Sequence, residues 1–212
     1  AGPDSPVPAT LSGALLASAD KADTMAGCFG LGMIPTGAAD PYALRRAALG
    51  ISRIIMEHGL KLKLDEVLAW AQEGYEKAEG LAGVKWKLAP AEARAKMLDF
   101  FGQRLRALFA SGEGADSRVA DAALGAGFTD IRTLKARFDA LTTFSRQPDF
   151  EQAVLTFKRA ANIIRKQGAE ADAALTVTIN DALLETEEER VLAAALRESA
   201  GRFEELWAAD DF

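Results

Sequence analysis

An all-α fold follows from three features of this sequence. Apolar residues recur at helical spacing in every long segment. No run alternates apolar and polar residues with a strand partner to match. Cap and stop residues bracket the periodic stretches. Pro3, Pro6 and Pro8 keep the first ten residues extended, and Thr10 or Ser12 can cap a helix over residues 11–28 that the glycines at 27, 30 and 32 end. Ile34-Pro35-Thr36-Gly37 is a turn. Asp40 as N-cap with Pro41 at the first helical position opens the next helix, whose buried face is Leu44, Ala48, Ile51 and Ile55 and whose end is His58-Gly59.

A third helix is expected over residues 65–78, after which the glycines at 80 and 83 mark a loop and a domain boundary between residues 80 and 81. Pro90 opens a helix with Met97, Phe101, Leu105 and Leu108 inward, and residues 111–114 break it. A short helix over 116–124 turns at Gly125 and Gly127. Asp130 caps the next, which runs to about Ser145. Pro148-Asp149 restarts the chain into a helix whose stripe of Phe150, Val154, Phe157, Ala161 and Ile164 reads as core. Residues 176–179 are β-branched but partnerless and read as a loop, and residues 187–208 form the last helix.

With 212 residues, 49% of them hydrophobic, the chain can bury a sizeable core as one large or two small domains. The net charge of -6 argues against gross nonspecific nucleic-acid binding, and DNA is not expected as a partner. A local basic patch survives that total, because charges are screened beyond about 8 Å at physiological salt. Cys28 is the single cysteine, so no internal disulfide forms and a reducing cytoplasm is the natural location. No apolar stretch reaches the roughly 20 residues of a membrane span. The first ten residues lack the basic and apolar parts of a signal peptide. Beginning without Met in a Pro-rich stretch, the chain reads as a piece of a longer one.

Few residues suggest catalysis. Asp20 and Asp23 share a helix face, but one histidine, His58, is too few imidazoles for the metal sites such carboxylates complete, so no metal ligand and no catalytic residue is assigned. Both aspartates otherwise read as surface charges or interdomain hydrogen-bond partners. His58 suits a helix C-terminus, and Cys28 a small buried position. Gly30-x-Gly32 with Pro35-Thr36-Gly37 lacks the spacing of a phosphate loop and reads as a rigid connection. Arg45 and Arg46, with Arg53, form a basic ridge that can meet RNA phosphates or another domain, or simply solvent. Farther along, Lys158, Asn162 and Arg165 lie at i, i+4, i+7 on one flank of a helix, with Arg159 and Lys166 on its outer face. Cations with an amide among them suit RNA: Lys and Arg neutralise phosphates while Asn can read a base edge. Arg104 and Arg106 are candidate additions. The competing reading is a solvated helix face.

Two stretches carry a family resemblance. Residues 19–55 hold ADKADT at 19–24, PTG at 35–37 and DPYALRRAALG at 40–50. Residues 148–164 hold PDFE and, from Phe157, FKRAANII. Together they resemble the β subunit of the bacterial two-subunit glycyl-tRNA synthetase. Ala22, Met25 and Ala38-Ala39 depart from the family's pattern without touching a charged position. The resemblance implies that residues 1–80 are the end of an HD-like helical domain and a linker. It makes residues 81–212 most of a DALR-type anticodon-binding helical bundle, truncated at its C-terminus. It implies tRNA-Gly and the synthetase α subunit as partners, with ATP and Mg used on that α subunit and no cofactor in this chain. The chain would then bind and position tRNA without catalysing. A helical scaffold without RNA contact, or a degenerate HD phosphohydrolase, are the alternatives.

Overall fold

The computed structural model describes residues 5–78, 83–111, 116–166 and 179–212. Among them are eight α-helices and no strand: α1 (Leu11–Gly30), α2 (Leu44–His58), α3 (Leu64–Lys77), α4 (Pro90–Ala110), α5 (Ser117–Gly125), α6 (Ile131–Phe144), α7 (Phe150–Lys166) and α8 (Glu187–Ala208). A 3-10 turn, Asp181–Leu183, precedes α8. The fold is all-α, as the spacing predicts. Of the β-branched stretch at 176–179, all but Ile179 lies outside the described residues.

The chain forms two compact units, Ala1–Leu141 and Thr142–Phe212. The sequence places a division at residues 80–81. The helices on either side of it, α3 and α4, both pack on α1 within the first unit.

In the N-terminal unit α1 is the axis, packed by α2, α3 and α4, with α5 against α4. The caps fix where helices start. Thr10 Oγ1 accepts the amide of Gly13 at 3.2 Å, satisfying an orphan donor at the start of α1. Asp116 and Asp130 do the same for α5 and α6, accepting the amides of Arg118 and Thr133. The expected start of α2 at Pro41 is corrected: α2 begins at Leu44, after a turn in which Ala43 takes the left-handed φ of 57°. Asp40 still caps it, from a distance. Its two carboxylate oxygens accept the amides of Leu44 at 2.8 Å and Arg45 at 3.0 Å.

The face named for α2 is the one buried, with Leu44, Ala48, Ile51 and Ile55 all at 0% exposure. It meets Met25 and Phe29 of α1, Leu64 and Leu68 of α3, and Met97, Phe101 and Leu105 of α4 in one core. Leu108 is a correction: it is half-buried, and Phe109 next to it takes the inward position against Phe138, ring centroids 4.8 Å apart. A lone bridge between Lys63 and Asp130, with the Leu64 amide on the Thr129 carbonyl at 2.8 Å, ties the α2–α3 turn to the α5–α6 turn.

In the C-terminal unit, α8 starts from a capping box: Thr186 Oγ1 accepts the Glu189 amide while the Glu189 carboxylate accepts the Thr186 amide. Arg197 of α8 pairs with Asp181 at 2.7 Å. Among the described residues of this unit only Ala193 is buried. The stripe on α7 is therefore a correction. Phe157 is 75% exposed, Val154 and Ala161 are exposed, and Phe150 and Ile164 are half-buried. The residues share a face as their spacing demands, but most of it stays open to solvent, Phe150 at its N-terminal end lying edge-on to Phe144 with ring centroids 5.2 Å apart.

Candidate nucleic-acid interface

The arginine pair of the DPYALRRAALG segment divides its labour. Arg45 turns back on the loop that precedes α2, its guanidinium donating to the carbonyls of Gly37 at 2.5 Å and Ala39 at 3.2 Å. With Asp40 on the helix amides, this makes a two-sided clamp, so Arg45 secures the turn. Arg46, one position on, is exposed, and no described group pairs with it.

Arg46 lines a cleft of about 480 Å³ bounded by α1, α2 and the extended residues 5–8. Asp20, Lys21 and Thr24 of α1 line it too, with Tyr42 and Arg53. The two conspicuous motifs at 19–24 and 40–50 thus converge on one surface. Gly50 shows how: a Cβ there would lie 3.0 Å from Lys21 Cε, so the bare glycine lets the lysine stem lie across α2. Arg53 bonds Glu57 at 3.0 Å and the Ser5 carbonyl at 3.0 Å, while His58 meets the Pro8 carbonyl at 2.8 Å. Side chains near the end of α2 thereby hold the extended N-terminal segment in place.

Asp23 points elsewhere. Its carboxylate and carbonyl both accept the Tyr75 hydroxyl, at 3.1 and 3.0 Å, joining α1 to α3. Burial, then the neighbouring Asp23 charge, pushes Tyr75 up to about 12. Burial likewise raises the Cys28 thiol, an inert inward position. Among the described residues no three His, Cys, Asp or Glu side chains gather to hold a metal ion.

Arg104 and Arg106 belong to α4 in the N-terminal unit. Arg104 lies over the Phe100 ring, 5.2 Å from its centroid, and bonds Gln103. Arg106 makes a two-pronged pair with Asp121 of α5, at 2.6 and 2.8 Å, which holds Asp121 below the usual carboxylate range. That pair fastens α5 to α4.

On α7 the situation differs. Lys158, Arg159, Asn162, Arg165 and Lys166 are all exposed, and none has a hydrogen-bond or ion-pair partner among the described residues. Arg165 and Lys166 also sit in the last helical turn, where cations complement the helix dipole. Sequence reasoning missed Lys21, Thr24 and Tyr42 as parts of a site. The available signal was Gly50, a helix-weakening residue in mid-helix that asks for a close neighbour.

Fold and surfaces define a class first: an all-helical protein with exposed cations, unpaired among the described residues, along α7 and with Arg46 in a cleft. The family model described as glycyl-tRNA synthetase beta subunit matches residues 1–125. The glycine–tRNA ligase beta subunit of Solidesulfovibrio magneticus is 59% identical over 212 residues, covering 100% of this chain and 29% of that protein. The beta subunit of Nitratidesulfovibrio vulgaris strain Miyazaki F is 58% identical over 219 residues, covering 100% of this chain and 30% of that protein. That of Geobacter sulfurreducens is 40% identical over 206 residues, covering 97% and 28%. The chain belongs to the glycyl-tRNA synthetase beta-subunit family. It spans under a third of the length of the curated relatives it matches.

Proposed function

We propose that this chain is a tRNA-binding and positioning part of the β subunit of a two-subunit glycine–tRNA ligase. In this reading it works in the cytoplasm beside an α subunit that activates glycine with ATP and Mg. The chain anchors tRNA-Gly so that the acceptor end reaches the α subunit's active site, a contribution of proximity rather than bond-making. The observation that carries the reading is the α7 face. Its four cations and Asn162 are exposed and unpaired among the described residues, whereas Arg45, Arg53 and Arg106 are engaged by the protein itself. A polyanion supplies the partners the protein withholds. None of the described helices is long and apolar enough to cross a membrane.

The test uses the assembled enzyme. Reversing charge at Lys158, Arg159 and Arg165 together should weaken tRNA-Gly binding. It should also lower the slope of log affinity against log salt by roughly 0.7–0.9 per phosphate contact removed. Glycine-dependent ATP–pyrophosphate exchange should stay near wild type, since it needs only the α subunit. Asn162→Ala should reduce discrimination among anticodon-loop sequences with little change in that slope. Equal tRNA binding by wild type and triple variant at low salt sinks the reading. A second reading, an assembly module without RNA contact, draws on the uncovered apolar residues Val154 and Phe157 of the same helix.

A further inference from the structure

We propose that the cleft between α1, α2 and residues 5–8 binds a nucleotide through its phosphate, using residues other than those of the α7 face. Its volume of about 480 Å³ lies within the roughly 300–1,000 Å³ usual for small-molecule sites. Three cations line it, and they are not equivalent. Arg53 is committed to Glu57 and the Ser5 carbonyl and forms wall. Among the described residues the Lys21 ammonium meets only the Ala17 carbonyl, at 3.2 Å, and Arg46 meets none. Two cationic heads without a carboxylate partner among the described residues, in one concave surface, suit a phosphate, because charge-assisted hydrogen bonds are the strong ones. Lys21 is held there by its packing on Gly50, and Arg46 by the short step from Leu44, which is fully buried.

The remaining lining residues select a nucleotide over a bare anion. Asp20, the one carboxylate among the described lining residues, is exposed, and its side chain bonds nothing described. It disfavours a second negative group and can accept hydrogen bonds from a sugar's hydroxyls. Thr24 donates its hydroxyl to the Asp20 carbonyl at 3.0 Å, leaving its oxygen as an acceptor. Tyr42, 48% exposed, gives a base an aromatic face on which to stack. Phosphate on Lys21 and Arg46, ribose toward Asp20 and base against Tyr42 use each exposed group once.

The proposal is independent of the tRNA reading of α7 and is tested on the assembled enzyme. Uridine 5′-monophosphate is titrated by calorimetry beside uridine and inorganic phosphate, the pyrimidine being chosen to avoid a site that takes ATP. The nucleotide should bind at least about tenfold more tightly than either fragment. Arg46→Glu and Lys21→Met should each weaken it by about tenfold or more, the usual worth of a charge-assisted hydrogen bond. Uridine 5′-monophosphate binding no better than uridine, or equally well to both variants, overturns the site. Inorganic phosphate binding as tightly as the nucleotide overturns the nucleotide assignment. Measuring tRNA binding with Arg46→Glu identifies the source of the phosphate: a loss points to RNA, no loss to a free nucleotide. The α7 triple variant should leave the titration unchanged, so failure at either surface is read separately.

Discussion

Helices α4 and α7 carry the same kind of apolar stripe and end in opposite places. On α4, Met97, Phe101 and Leu105 are fully buried between α1, α3 and α5. On α7, Val154 and Phe157 stand in solvent, and none of the helix's residues is buried. The N-terminal unit supplies several helices around one axis. The C-terminal unit offers, among its described residues, one buried side chain. The difference shows that helical period assigns residues to a face, while burial depends on a second element arriving to cover it. It also bears on charge. In the N-terminal unit, arginines such as Arg45, Arg106 and Arg137 are used as fasteners, Arg137 reaching the Gly127 carbonyl at 2.7 Å. On the sparsely packed helix α7, the cations keep their heads in water.

The largest expected effect tests that contrast directly. Phe101→Ala should destabilise the protein by about 3–5 kcal/mol in chemical denaturation, as truncation of a fully buried aromatic does. Phe157→Ala should cost only a few tenths, within the range of about 0.5 kcal/mol typical of surface changes. Equal losses would mean the α7 stripe is covered in solution and the contrast is false.

Two glycines sharpen it at smaller amplitude. A Cβ on Gly30 would come within 2.7 Å of the Trp86 ring, so Gly30→Ala should destabilise by about 1–3 kcal/mol through overpacking. A Cβ on Gly201 in α8 meets nothing within 4 Å. Gly201→Ala should therefore stabilise by roughly 0.5–1 kcal/mol, the helix-propensity gain alone. The signs of the two shifts in thermal midpoint decide the matter, and like signs would break the comparison.

The smallest effects are in pH. Tyr75 in the N-terminal unit is raised to about 12 by burial and by Asp23. A raised folded-state value means its contribution is intact below the ordinary tyrosine value of about 10 and is lost as pH climbs from there. Glu189 in the C-terminal unit is lowered, first by the Thr186 amide and then by that of Glu185. Its contribution is present above the ordinary carboxylate range and is lost as pH falls below it. Tyr75→Phe should flatten the alkaline limb of the stability curve, and Glu189→Gln the acid limb. Exchanged limbs would show that the two groups were assigned the wrong surroundings.

What the sequence determined alone was local. Thr10 and Asp130 mark helix starts because their side chains bond amides within three residues. The α2 face is legible because helical spacing puts Leu44, Ala48, Ile51 and Ile55 on one side. The family was legible in the two motif stretches, since the residue types and spacing there are more specific than any composition. Tertiary structure decided the rest. It split Arg45 from Arg46, because a loop carbonyl eight residues back reaches one and not the other. It exchanged Leu108 for Phe109 at the core, moved the start of α2 past a left-handed Ala43, and left Phe157 exposed. It also brought Lys21 and Arg46 to one cleft across Gly50. Each depends on contacts between residues distant in the chain or on which neighbour fills a space, and a periodic pattern along one helix contains neither.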